Sequence, residues 1–213
     1  MSAFFDVYGE MLVKAILVHL KYVGISVAAG FVLGVLLGVL LSRVPKLSSV
    51  IMPVISIFQT IPGIVFIGVL FLYLGMKPIT VIVALSVYAM FPVLKNTYTG
   101  ILEVSPGLKE AAKGCGMSSF QSLFRMELPL AMPHVIAGLR LATIYTVSWA
   151  VLAAMIGLGG LGDFIYQGVS SYNNTLIIAG AIPAAAIAVI LGALIDKLQQ
   201  KVTPRGMRKG VRR

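Results

Sequence analysis

The chain has 213 residues, of which 59% are hydrophobic and 11% are charged, and its mean hydropathy is +0.99. A soluble domain typically carries about a quarter charged residues, so this composition excludes an ordinary soluble fold and predicts one all-α, polytopic membrane domain. The net charge of +10 does not indicate nucleic-acid binding, because seven of the 17 basic residues lie between Lys197 and Arg213, after the last apolar segment.

Segments without charged residues predict the membrane spans, because a helix needs about 20 apolar residues to cross the hydrocarbon core. The five predicted spans are residues 22–42, 50–75, 78–98, 137–158 and 176–195. The second of these segments is too short for two crossings. Before the first span, residues 1–18 are predicted to form an amphipathic segment at the outer surface, with Lys14 and Lys21 anchored among lipid headgroups.

The distribution of Lys and Arg predicts the orientation of these spans. If the basic tail of residues 199–213 is cytoplasmic, most other basic residues in the connections are cytoplasmic as well. These residues are Arg43, Lys46, Lys95, Lys109, Lys113 and Arg125. The loop from Gly157 to Thr175 contains no Lys or Arg, which agrees with a position outside. We therefore expect the N-terminus outside and the C-terminus in the cytoplasm.

Glycine and proline interrupt two of the predicted spans. Gly30, Gly34 and Gly38 form two overlapping GxxxG patterns in the first span, which allow another helix to approach closely. Pro62 lies in the second span within the sequence QTIPG and predicts a kink. Ordinary packing and a kink that hinges during transport both remain open for Pro62.

A polar insert, residues 105–129, separates the third and fourth spans. Ser105 and Pro106 predict a helix start, and Gly114 and Gly116 predict its end. We expect this first helix to lie on the cytoplasmic surface, because it is too short to cross a bilayer.

A second short helix is predicted from Ser118 and Gln121, which have capping-box spacing. Its predicted apolar face consists of Phe120, Leu123, Phe124 and Leu128. Pro129 and Pro133 are then expected to turn the chain into the fourth span. The insert is either an elbow packed on the protein's own spans or a docking element for a cytoplasmic partner.

The insert resembles the EAA signature of ABC-importer permeases. The matching residues are Glu110-Ala111-Ala112, then Gly116 after three residues, Met126 after nine more, and Leu128-Pro129. Met126 stands where the pattern usually has Ile. Residues 19–198 resemble the permease core. The sequences QTIPG at 59–63, KNTYTGI at 95–101 and AAMIGLGGLGDFIYQG at 153–168 are similar to the branch that imports osmoprotectants such as glycine betaine, carnitine and choline.

The resemblance implies a type I importer permease of about five spans in a bacterial cell membrane. It implies a coupling helix that docks on an ATPase subunit through Glu110, Ala111, Ala112, Gly116, Met117, Phe120, Leu128 and Pro129. Partner ATPase subunits would bind ATP and Mg²⁺, whereas this chain would bind no cofactor. A second permease copy or paralogue and an extracellular substrate-binding protein would complete the complex. An importer of another small solute, such as an amino acid, shares this architecture.

Four residues are candidates for the translocation pathway. Gln59 and Pro62 lie at the predicted kink. Tyr145 and Trp149 lie four residues apart, and therefore on one face of the fourth span. Their aromatic rings suit either packing in the protein core or a transient cation–π contact with a quaternary ammonium group.

The sequence contains no G-x-x-x-x-G-K-[ST] phosphate loop, so we expect no enzymatic activity from this chain alone. His19 and His134 lie near predicted membrane edges, and we expect interfacial or structural roles for them and no metal site. Cys115 is the single cysteine, so no intrachain disulfide can form. A self-sufficient secondary transporter or channel is the alternative from another class. It is disfavoured because the predicted spans lack a central Asp, Glu or His.

Overall fold

The computed structural model describes residues 2–203, and side chains from residue 6 onward. This part of the chain is almost entirely helical. Its α-helices are α1 (Ser2–Arg43), α2 (Pro45–Phe58), α3 (Gly63–Leu74), α4 (Pro78–Leu102), α5 (Pro106–Gly114), α6 (Ser119–Ser122), α7 (Leu128–Ala150), α8 (Leu161–Ser170) and α9 (Asn174–Val202). A π-helical turn, Leu123–Glu127, connects α6 to α7, and a 3-10 turn, Val151–Ile156, follows α7.

Four helical segments of the described chain are long and apolar enough to cross a membrane: Asp6–Arg43, Pro78–Leu102, Ser119–Ile156 and Asn174–Val202. The pair α2 and α3 passes the same test together, but it is bent by 95° at a short break. The all-α prediction of about five spans is therefore confirmed. The second span differs from the prediction in being two half-length helices at a sharp angle.

The segment predicted for residues 1–18 does not form a helix of its own, and its place at the outer surface stays a prediction. From Ser2 onward these residues belong to one continuous helix with the first span. No glycine or proline lies between Gly9 and Gly24 to interrupt it. Because its residues favour a helix, α1 continues past Lys14 and Lys21 without a break.

The second helix of the polar insert is also continuous with a span, contrary to the prediction that Pro129 and Pro133 turn the chain there. Residues from Ser119 to Ile156 form one long helical segment. Pro129 lies in the first turn of α7, and the π-turn before it adds a residue to the helix. A proline lacks the N–H of a normal helical bond, and a wider turn on its N-terminal side lets the helix continue.

The centre of the fold is α4, which packs against α1 on one side and α7 on the other. Gly30, Gly34 and Gly38 of α1 face α4 so closely that a Cβ on any of them would lie 2.7 Å from an α4 atom. Gly138 of α7 lies equally close to α4: a Cβ added at Gly138 would lie 2.9 Å from the Cβ of Asn96. The close helix approach predicted from the GxxxG pattern is confirmed.

Replacing Gly34 with Ala should destabilise this contact, because the added Cβ would meet the Met90 carbonyl oxygen and the Val93 Cβ at 2.7 Å. We expect a loss of roughly 1–3 kcal/mol of stability, as for other overpacked cores. Gly24 is a matched control in the same helix, because nothing lies within 4 Å of its Cβ position. Thermal unfolding of both alanine variants in detergent should lower the Tm only for Gly34→Ala. Equal Tm values would contradict the packing account.

Candidate coupling and translocation sites

The polar insert forms an elbow that begins and ends as the sequence predicts. Pro106 occupies the first turn of α5, and Ser105 precedes it with extended backbone, although its hydroxyl makes no capping hydrogen bond. The helix ends at Gly114, and Gly116 follows in the left-handed region at φ +77°. The Met117 N–H then donates to the Ala112 carbonyl at 3.0 Å. This is a tight helix end that a glycine allows at little steric cost.

The predicted capping box at the start of α6 is present. The Gln121 N–H donates to the Ser118 hydroxyl oxygen at 3.3 Å, and the Ser118 N–H donates to the Gln121 side-chain oxygen at 2.9 Å. Both bonds use backbone donors that lack partners inside the helix. They fix the direction in which the chain leaves the turn at Gly116.

Most of the predicted coupling residues are exposed. Ala112 is buried, and Leu128 is half-buried and packs against the cluster of Ile101, Leu123 and Ala131. The exposed residues are Glu110, Ala111, Gly116, Met117, Phe120 and Pro129. The elbow thus has a packed inner side and an open outer side.

The predicted apolar face of the second helix is divided between these two sides. Leu123 is buried, whereas Phe120 is 70% and Phe124 50% exposed. The two phenylalanine rings contact each other with centroids 4.5 Å apart. Leu108 on α5 and Met117 in the turn are further exposed apolar residues of the same elbow. Such a patch, with charged residues beside it, is typical of a protein interaction site.

A buried acid, Glu127, joins the elbow to the end of α1. Its side chain is 2% exposed, and its Oε1 atom lies 2.9 Å from the Arg43 guanidinium. The Ser122 hydroxyl donates to the same oxygen at 2.9 Å, and the Lys109 ammonium lies 3.9 Å from Oε2. Three segments therefore converge on one carboxylate: the end of α1, α5 and the π-turn.

Sequence reasoning did not find Glu127. Its partners Arg43 and Lys109 are far from it in the chain, so no local spacing reveals the cluster. The available signal was one acid between the apolar residues Met126 and Leu128, at the entrance to a span. A buried carboxylate requires charged or hydrogen-bonding partners.

Two further contacts hold the elbow end of the bundle together. The Lys109 ammonium donates to the Ile101 carbonyl at 3.1 Å, and the His134 ring lies 3.0 Å from the Glu103 carboxylate. His134 thus has the structural or interfacial role that was expected. His19, in contrast, is fully buried inside the bundle, with its Nε2 atom 3.1 Å from the Val147 carbonyl oxygen.

Three of the four candidate pathway residues, Gln59, Pro62 and Trp149, lie at the break between α2 and α3. Gln59 and Pro62 are exposed at the break itself. The Tyr88 hydroxyl donates to the Ile61 carbonyl at 2.7 Å, which satisfies a backbone group that the broken helix leaves free. Pro62 therefore lies at a real bend of the span, as predicted, and Tyr88 of α4 holds that bend.

Trp149 lies beside the same break, edge-on to Tyr88 with ring centroids 4.0 Å apart. A Cβ at Gly63 would lie 3.8 Å from the indole ring. Tyr145, one helical turn earlier, is 50% exposed. The structure therefore brings Trp149 together with the kink, and it leaves Tyr145 on the open surface of α7. Phe58, Phe66 and Phe91 complete an aromatic cluster around Tyr88.

Comparison with known proteins identifies the group to which these features belong. Residues 30–208 match the family described as binding-protein-dependent transport system inner membrane component. The chain is 35% identical over 206 residues to the carnitine transport permease protein OpuCB of Listeria monocytogenes, covering 97% of this chain and 94% of that protein. It is 40% identical over 199 residues to the glycine betaine/carnitine/choline transport system permease protein OpuCB of Bacillus subtilis, covering 93% and 91%.

The fold is similar to inward-facing structures of the MetNI methionine ABC transporter. The TM-score is 0.82 at 24% identity, and the match covers 92% of this chain and 98% of the other. The crystal structure of an amino acid ABC transporter with histidines matches with a TM-score of 0.69 at 19% identity, covering 90% and 92%. The matched family and the curated relatives show that the chain belongs to the inner-membrane permease components of binding-protein-dependent ABC importers.

Proposed function

We propose that this protein forms half of the translocation pathway of an ATP-driven importer for quaternary ammonium osmoprotectants such as glycine betaine, carnitine and choline. The observation that carries this proposal is the elbow: an exposed apolar patch on a rigid turn, joined through buried Glu127 to the end of the first span. The substrate class comes from relatives of 35% and 40% identity, whose names specify these solutes.

The exposed patch of Phe120, Phe124, Leu108 and Met117 is the proposed docking surface for a cytoplasmic ATPase subunit. That subunit would bind ATP and Mg²⁺, because this sequence has no phosphate loop. Glu110 and Ala111 lie exposed on the same elbow and would contact the partner. Ala112 and Leu128 would support the elbow from beneath. In this arrangement the N-terminus lies outside and the elbow lies in the cytoplasm.

A second permease, identical or paralogous, would enclose the pathway together with this chain. The described chain has four or five spans, which is too few to surround a solute channel alone. An external binding protein would deliver the solute to the outer end. Import of an amino acid is the second candidate, but the amino-acid transporters match at 24% and 19% identity and support the fold alone.

Reconstitution tests this proposal. The chain should be purified with its co-purifying subunits from the native membrane, placed in proteoliposomes, and assayed for ATP hydrolysis and uptake of glycine betaine, choline and an amino acid. We expect ATP-dependent uptake of the quaternary amines by the complex, and neither hydrolysis nor uptake by the purified chain alone. Nucleotide-independent transport by the purified chain would support a secondary transporter. Uptake of the amino acid without uptake of the quaternary amines would show that the substrate is an amino acid.

A further inference from the structure

Lys95 occupies an unusual position in α4. The sequence predicts it near the cytoplasmic end of the span 78–98, and the structure places it inside the helix, about 10 Å before the last residue, Leu102. Between Val81 and Ile101 all the remaining residues of α4 are buried or half-buried, whereas Lys95 is exposed. Among the described residues it makes no hydrogen bond or ion pair. An ammonium group within a span is costly and is typical of a functional site.

Lys95 shares a helix face with the aromatic cluster at the broken span. Tyr88 and Phe91 precede it by seven and four residues, a spacing that places all three on one side of α4. Both aromatic rings contact Phe58 at the end of α2. Further along the same side, the Tyr98 hydroxyl donates to Ser48 near the start of α2 at 3.2 Å. The face that carries Lys95 is therefore the face beside the broken span.

This face differs from the surfaces that suit lipid. The exposed side chains on α1 and α9 are long runs of aliphatic residues, namely Val32, Leu36, Leu40, Ile178, Ile182, Val189 and Ile190. The exposed side of α7, in contrast, includes Tyr145 and Ser148. A lysine, a tyrosine and a serine exposed on neighbouring helices suit a water-filled passage, because charged and polar groups at membrane depth line cavities.

We propose that Lys95 binds the carboxylate of a zwitterionic solute in the elbow-side half of the passage. This inference rests on the proposed function and narrows its substrate class. A trimethylammonium group has no hydrogen-bond acceptor, so the Lys95 ammonium cannot bind it. The carboxylate of glycine betaine or carnitine is the group that an ammonium binds by a charge-assisted hydrogen bond. Choline has no carboxylate, so Lys95 gives it no such contact.

Uptake by the reconstituted complex tests this selectivity. Lys95→Gln should lower glycine betaine uptake about tenfold, which corresponds to about 1.4 kcal/mol of binding free energy. It should leave choline uptake within about twofold. Lys95→Arg keeps the charge and should retain most betaine uptake. If the uptake of both solutes falls equally, or if neither uptake falls, the inference is overturned while the proposed function stays intact. A wild-type complex that transports neither solute would refute the proposed function itself.

Cysteine labelling tests the location of Lys95 without relying on transport. In a Cys115→Ser background, Lys95→Cys should react with a membrane-impermeant, charged thiol reagent. Val189→Cys, on the aliphatic surface of α9, is the matched control and should not react. Resistance of the Lys95→Cys variant to the reagent would place this position against lipid, where a phosphate headgroup would be the partner of the lysine. That result would overturn the inference.

Discussion

Replacing Glu127 with Leu is expected to abolish most solute uptake while ATP hydrolysis by the assembled complex continues. The substitution removes the carboxylate that joins Arg43, Lys109 and Ser122. Losing one partner of a buried charge-assisted contact costs about 1–3 kcal/mol, and Arg43 is exposed enough to be rehydrated. The chain should therefore still fold. The elbow, however, would no longer move with the end of α1. ATP hydrolysis should therefore continue without driving transport.

The measurement is the ratio of uptake to ATP hydrolysis in proteoliposomes, which we expect to fall at least tenfold. Arg43→Gln should have the same effect, and combining both substitutions should add little, because one interaction is lost in each case. Glu10→Gln removes an exposed acid near the start of α1 and is the control. A normal ratio in Glu127→Leu, or purely additive effects with Arg43→Gln, would show that the buried acid has no coupling role.

Replacing Gly116 with Leu should impair coupling through the turn itself. Gly116 has φ +77°, and nothing lies within 4 Å of its Cβ position, so a side chain fits the isolated chain but strains its backbone. The left-handed conformation costs a residue with a side chain roughly 1–2 kcal/mol. The side chain would also project where the proposed ATPase subunit approaches. We expect normal membrane insertion, with weaker ATPase binding or reduced uptake.

Two matched variants separate strain from steric exclusion. Asparagine tolerates positive φ, so Gly116→Asn adds a side chain at the interface with little backbone strain. Gly114→Leu adds a leucine side chain two residues earlier, where φ is not positive and nothing lies within 4 Å. Loss of coupling in both Gly116→Leu and Gly116→Asn indicates a close partner, whereas loss in Gly116→Leu alone indicates strain. Wild-type uptake and solute-stimulated ATP hydrolysis in Gly116→Leu would contradict the role given to this turn.

Features encoded by neighbouring residues were predictable from the sequence. The capping box at Ser118 and Gln121, the stop at Gly116 and the kink at Pro62 each depend on residues a few positions apart. The GxxxG pattern also predicted a close helix contact, because its period places the glycines on one face of α1. What the pattern could not supply was the partner helix, which is α4.

Features that depend on distant residues were missed or mistaken. The cluster at Glu127 combines residues from three segments, so only the folded chain reveals it. Lys95 was expected among headgroups at the cytoplasmic end of the span 78–98, yet α4 continues beyond it to Leu102. The continuous helix from Ser119 was missed because proline was taken as a stop. A π-turn before Pro129 removes that conflict, and no local pattern predicts it.

The central claim, that the exposed elbow is covered by a partner ATPase, can be tested with the single natural cysteine. Cys115 is exposed in the turn between Ala112 and Gly116. Its reaction rate with a maleimide should be high in the purified chain and at least tenfold lower in the complex with the ATPase subunit. Tyr172→Cys in a Cys115→Ser background, in the loop between α8 and α9, should react equally in both states. An unchanged rate at Cys115 in a complex that contains the ATPase would contradict the claim.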